Sequence, residues 1–458
     1  MEVRLARNPM KNDQAVVDAL RATRDRETAM SKLLMAFIGT GMLFMLFPGT
    51  LLGVWNLLQI SSQEQGGRIS PAWVQAHGHA QVFGWIGTFL LGIGFYSIPK
   101  LRDRATRVIH AAWICGALWT VGVAIRWAAT VYLWNWRVLV PVGGILELAA
   151  FLIFFSVVSQ HRPKDSSQKG LEPWVWVVMT ATLGFLSSLA VNLGLSLQAS
   201  CRGVDPAFPH GADQRYLALV GWGFLVPFVW GFSAKWMRVF LGLRAFRTRF
   251  LYGTVVANIA GVALALFGRF PSATLLFLFA VAFAIVAIRI FETSEQEAKI
   301  KGIHKSFPIF VRIAYGWLLV AAGLGVAANF FDTSDGFWGA SRHALTVGFV
   351  STMVLAVGQR ILPAFAGMRL LWSPRLMFAG LFLLTIGCTL RVSAEVLAYQ
   401  GYAVWAWHVL PVSALTELTA LSVFAINLLC TFLLQPSHAV NEPMMVSLPQ
   451  IAIEANTR

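Results

Sequence analysis

Polar and apolar residues fall along this chain in long blocks rather than in short periods. Twelve apolar runs lie at roughly 32–58, 77–99, 108–131, 138–159, 173–199, 215–241, 250–269, 271–292, 307–330, 339–363, 375–397 and 403–433, each long enough to cross a bilayer as a helix. No water satisfies backbone groups inside the hydrocarbon, so the runs must be helical. The expected fold class is all-α: a polytopic membrane bundle of 12 transmembrane helices. The polar blocks between them are too short for a soluble domain. The expected organisation is a cytoplasmic tail at 1–31, a transmembrane domain at 32–434 and a C-terminal tail at 435–458.

Within the apolar blocks a spaced pattern occurs twice. His79 opens H-A-x(3)-G-x(9)-G-x(4)-P with Gly84, Gly94 and Pro99, and His343 opens it again with Gly348, Gly358 and Pro363. T-x-G-x(3)-R follows at Thr120/Gly122/Arg126 and returns at Thr385/Gly387/Arg391. P-V-x(4)-E-L-x-A stands at Pro141/Val142/Glu147/Leu148/Ala150 and at Pro411/Val412/Glu417/Leu418/Ala420. Three motifs in one order mean an internal duplication. A middle unit is fainter: Tyr216 takes the place of His, with Gly221 and Gly231 at the same offsets of five and fifteen. Three pseudo-repeats of four helices follow, about 32–160, 173–292 and 307–434.

Composition changes the picture little. Hydrophobic residues make up 57% of the chain and charged residues 12%, with a mean hydropathy of +0.66, which excludes a soluble enzyme. The net charge of +15 concentrates in alternate loops, such as Lys100/Arg102/Arg104/Arg107 and Lys235/Arg238/Arg244/Arg247/Arg249. That asymmetry places both termini in the cytoplasm and makes the lipid bilayer, not nucleic acid, the partner of the basic charge. The polar N-terminus shows no cleaved signal peptide. Cys115, Cys201, Cys388 and Cys430 form no C-x-x-C pair, which leaves disulfide frameworks, zinc sites and c-type haem without support.

Ionisable residues inside membrane spans mark function by default. By this topology His77, His79, His343 and His408 lie near the outer helix ends, Arg126 and Arg391 nearby, and Glu147 and Glu417 one-third to one-half of the way in. Two histidines at equal depth on two helices suit axial ligation of one haem iron, so His79 and His343 are the candidate ligands of haem b. Arg126, Arg391 and Arg342 are candidates for its propionates, since the guanidinium fork suits carboxylates. Copper is the alternative metal, with His77, His79, His343 and His408 as donors. His77 and His79 are two positions apart, about 200° round a helix, so they face different sites. A lone intramembrane His commonly only hydrogen-bonds a neighbour; repetition argues for ligation at His79 and His343. Arg126 with Glu147, and Arg391 with Glu417, have a structural reading as buried ion pairs. His110, His161, His210, His304 and His438 read as surface or loop residues.

The segments H-G-H-A-Q-V-F-G at 77–84, G-x-G-F-Y-x-I-P after it, and R-H-A-L-T-V-G at 342–348 resemble the NnrS family. That resemblance implies a haem- and copper-binding protein of the bacterial inner membrane, linked to nitric oxide tolerance. More distantly the chain is similar to subunit I of haem-copper oxidases and nitric oxide reductases. This similarity implies twelve helices in three arcs of four, with a low-spin haem between helices 2 and 10, at His79 and His343. Those enzymes carry further histidines on helices 6, 7 and 10 for a second haem and its metal. Helices 6 and 7 of this chain are expected to hold none. Three functions remain open at this point. They are a haem protein acting in nitric oxide response or redox chemistry at the periplasmic face, with nitric oxide or a periplasmic cytochrome as partner; an electron-transfer or structural subunit of a larger respiratory complex; and a proton-coupled transporter using Glu147 and Glu417.

Overall fold

A computed structural model describes residues 9–63, 69–100, 106–159 and 172–437. Twelve helices long and apolar enough to cross a membrane follow one another. They are α1 (Arg21–Ser62), α2 (Pro71–Ser97), α3 (Val108–Tyr132), α4 (Trp136–Ser159), α5 (Pro173–Arg202), α6 (His210–Leu241), α7 (Thr248–Leu266), α8 (Phe270–Ile288), α9 (Phe307–Phe331), α10 (Gly336–Phe365), α11 (Pro374–Tyr399) and α12 (Ala406–Leu434). No strand occurs among the described residues. Pro71, Pro173 and Pro374 each open a helix, where the missing N–H and fixed φ cost nothing.

In three places the helices begin five or more residues before their apolar runs. The first is already helical from Pro9, inside the segment read as a tail. Ala15, Ala19, Ala22 and Ala29 alternate there with Arg21, Arg24 and Arg26, no Gly interrupts before Gly39, and good helix formers extend a helix once it is nucleated. The second helix starts at Pro71, not 77, and the sixth at His210, not 215. His210 is therefore the first residue of α6, a correction to its reading as a loop residue.

Three helices form the inside of the bundle. In their most apolar windows α2, α6 and α10 are 67%, 72% and 67% buried, against at most 56% elsewhere. They recur every fourth helix, and each widens into a π-helical segment just after its anchor: Ala80–Gly87 after His79, Leu219–Leu225 after Tyr216 and Ala344–Ser351 after His343. The middle unit thus keeps the backbone feature of its neighbours although its His is gone. A fourth π segment, Met45–Leu51, surrounds Pro48 in α1. Such segments interrupt the regular hydrogen-bond ladder and concentrate at functional sites. The ring closes where Val54, Leu57 and Ile60 of α1 pack on Ala394 and Ala398 of α11 and Ala406, Leu410 and Ala414 of α12.

Glycines set the closest approaches. A Cβ on Gly184 of α5 would stand 1.8 Å from the Gly223 carbonyl oxygen of α6, so two backbones touch there. The stacked Phe185 and Phe224 rings, 4.0 Å apart, seal the same contact. Gly184→Val is expected to leave no folded protein on size-exclusion chromatography in detergent. Gly78→Ala, where nothing lies within 4 Å of the added carbon, is expected to behave as wild type.

Candidate functional site

The repeated His, Arg and Glu all lie at one end of the bundle. At ~1.5 Å per residue, His79 and His343 stand about 12 and 10 Å from the starts of their helices, Arg126 and Arg391 about 9 and 12 Å from the ends of theirs, and Glu147 and Glu417 about 16 Å in. The repeat fixes how the carboxylates sit. A Cβ on Gly122 would meet the Glu147 Cγ at 3.1 Å, and one on Gly387 would meet the Glu417 Cγ at 2.7 Å. The glycine of each Arg motif therefore makes room for the carboxylate of the Glu motif on the next helix.

The six residues divide into two clusters. In the first, His79 Nε2 lies 2.8 Å from Glu147 Oε1, with Glu147 fully buried. The His79 ring stacks on Phe83, centroids 4.8 Å apart. Arg126 does not ion-pair with Glu147 as expected. Its Nη1 donates to Ser196 Oγ at 2.7 Å, and its guanidinium lies over the Phe208 ring at 5.3 Å. Its charge and that of Glu147 are nonetheless the electrostatic neighbours of His79. Glu147 Oε2, the Tyr216 hydroxyl and both amide atoms of Asn192 have no hydrogen-bond partner. A small recess lined by Gln75, Ala76, His79, Arg126, Trp127, Thr130 and Pro206 leads toward this cluster.

The second cluster is built differently. His343 Nδ1 is 2.9 Å from the Gly339 carbonyl and 2.9 Å from Glu395 Oε2. A carbonyl only accepts, so Nδ1 carries the hydrogen and Nε2 keeps its lone pair. Arg391 Nη2 donates toward that Nε2 at 3.4 Å and also to Glu395 Oε1 at 3.3 Å. The expected Arg391–Glu417 pair is replaced by Arg391–Glu395. Arg391 Nε and Nη1 and Glu417 Oε1 are left without partners. A Cβ on Gly339 would collide with Glu395 Oε1 at 2.2 Å, so that glycine creates the space for Glu395.

His77 belongs with this second group. Its Nδ1 is 2.9 Å from the Gly49 carbonyl of α1, and His343 and Arg391 are its electrostatic neighbours. The ring lies against Gly53, whose added Cβ would stand 2.6 Å from Cε1. His77 and His79 thus face opposite clusters, as their two-residue spacing implies.

Other expected residues stay apart. His408 is exposed in the first turn of α12. Arg342 lines a cavity of about 60 Å³ between α6, α8, α9 and α10, beside Trp222, Phe277 and Leu345. His210 is at the rim, 3.9 Å from Asp335 Oδ2. His161 and His438 lie outside the described residues. Among the described residues no group of three His, Cys, Asp or Glu is arranged to hold a metal ion, so the four-histidine copper set is not assembled. Glu395 was missed because it occurs once; the i,i+4 spacing from Arg391 was its only signal. Ser196 and Asn192 carried none.

With this geometry in hand, comparison with known proteins is informative for the fold. Residues 208–430 match a family described as a domain of unknown function (DUF8744). No curated protein matches the chain. Among solved structures the chain is similar to a heme-copper terminal oxidase, solved by cryo-EM as a dimer, with a TM-score of 0.54 over 88% of this chain and 84% of that one. At 12% identity the likeness is one of architecture. This is a multi-pass helical membrane protein with the heme-copper oxidase fold.

The buried pair gives a sharp stability test. Glu147→Ala strands the buried His79 Nε2 without its carboxylate and is expected to cost about 3–5 kcal/mol, the range for breaking a buried pair. Glu417→Ala removes a carboxylate that makes no ion pair among the described residues and is expected to cost clearly less. Thermal unfolding in detergent of the two variants side by side checks the order.

Proposed function

We propose that the chain is a haem b protein of the bacterial inner membrane, of the NnrS type. It would serve nitric oxide tolerance or redox chemistry, with its site at the periplasmic face and both termini cytoplasmic. The observation that carries this reading is the state of His343 and Arg391. His343 donates Nδ1–H to a carbonyl beside a carboxylate, the arrangement that orients a metal-binding imidazole and leaves Nε2 free. Arg391 holds two buried N–H groups without partners next to it. Unpaired buried donors are costly, and a propionate carboxylate is the partner a guanidinium fork fits.

The residues present therefore fit a haem between α2 and α10. His343 of α10 and one of the two α2 histidines would hold it. Arg391 would leave His343 Nε2 and turn its free donors to a propionate. Bound there, the haem supplies one-electron redox chemistry. Both imidazoles would be engaged in holding the haem. Among the described residues no three-donor set is assembled for a copper ion, and copper is not part of the proposal. The oxidase-like helices 6 and 7 hold only the exposed rim residue His210, so a binuclear oxygen- or nitric-oxide-reducing centre is not part of it either.

A second reading has one observation in its favour. Glu417 Oε1 is buried without a partner, as a proton-carrying carboxylate of a transporter would be.

The test is the optical and EPR spectrum of the purified protein with haem quantification. One haem b per chain with a low-spin spectrum is expected. His343→Ala should lose that spectrum, and Arg391→Ala should release haem to apomyoglobin at least tenfold faster than wild type. A colourless protein that takes up no added haem would overturn the reading and favour transport through Glu417.

A further inference from the structure

We infer that the α2 ligand of this haem is His77 and not His79; the inference rests on the haem reading above. The internal repeat points the other way, since His79 is the residue in register with His343. The ring nitrogens decide against the repeat.

Iron needs an imidazole nitrogen with a free lone pair. His77 gives Nδ1–H to the Gly49 carbonyl at 2.9 Å, the same use of Nδ1 that His343 makes with the Gly339 carbonyl at 2.9 Å. Both histidines are thereby fixed in the tautomer that presents Nε2. His79 has the opposite arrangement: Glu147 holds its Nε2, the atom that His77 and His343 leave free, at 2.8 Å, and only Nδ1, the nitrogen nearer the backbone, keeps a lone pair. Freeing Nε2 would leave a fully buried carboxylate with both oxygens unpartnered, because Glu147 Oε2 already lacks a partner. That is a costly state in a bundle interior.

Position agrees with chemistry. His343 and Arg391 act electrostatically on His77, while Glu147 and Arg126 act on His79. Gly49 and Gly53 of α1 form the slot for the His77 ring: the first supplies the carbonyl, the second lets the ring lie against the backbone. The reason the duplicated histidines have parted is visible one helix away. Glu395 serves His343, and the equivalent position four residues after Arg126 is Thr130. In the first repeat only Glu147 is left to hold His79.

The experiment uses full-length protein in lipid nanodiscs. Low-spin EPR and the ferrous optical spectrum are recorded for His77→Gly, with and without added imidazole, and for His79→Asn. His77→Gly is expected to lose the low-spin signal and to regain it with imidazole, which fills the vacated axial position. His79→Asn is expected to keep the wild-type low-spin signal. If His79→Asn does not fold, Glu147→Gln asks the same question with the imidazole in place, and its low-spin signal should be unchanged. A low-spin signal retained in His77→Gly without imidazole, or lost in His79→Asn and restored by imidazole, would overturn the assignment while leaving the haem reading intact. Wild-type protein that binds no haem would overturn both.

Discussion

The low polarity of a bundle built from twelve membrane-spanning helices governs this molecule. An ionisable side chain placed there is costly unless the bundle supplies a counter-charge or hydrogen-bond partners. The two copies of the His–Arg–Glu set meet this demand by different routes. In the first, one carboxylate holds His79 and Arg126 turns to a serine and an aromatic face. In the second, an added carboxylate, Glu395, holds both His343 and Arg391. That single addition goes with a Glu417 that makes no ion pair and an Arg391 that keeps two nitrogens without partners.

The scaffold that allows this is set by glycine and by irregular helix. Gly122 and Gly387 admit the carboxylates, Gly339 admits Glu395, and Gly53 admits the His77 ring. The π segments after His79, Tyr216 and His343 lie on the three interior helices. In the middle unit a tyrosine with an unpartnered hydroxyl occupies the anchor, and that unit contributes packing, including the Phe185–Phe224 contact.

The likeness to a heme-copper terminal oxidase concerns the path of the chain. Fold and chemistry are separable, and chemistry belongs to the side chains placed on the fold. Here α7 is without histidine and that of α6 stands exposed at the rim. Between α6, α8, α9 and α10 lies a cavity of about 60 Å³ lined mostly by apolar residues. The polar chemistry is concentrated on the other faces of the interior helices, around α2–α4 and α10–α12.

The sequence by itself determined the twelve helices, their order, the all-α class and the threefold repeat. These depend on local hydrophobicity and on spacing, which a linear chain displays. It also put the right helices at the same depth, because residue counts convert directly into distance along a helix. It could not assign partners. Arg126 and Glu147, adjacent in the motif order, do not pair, and Arg391 chose Glu395 over Glu417. Partner choice depends on which way a side chain leaves its helix and on what the neighbouring backbone lets it reach. The same holds for His77 and His79: the repeat singled out one, while the carbonyl of Gly49 and the carboxylate of Glu147, contributed by other helices, determine which imidazole nitrogen is free. Register along a helix is written in the chain; rotation about it is decided only by what packs alongside.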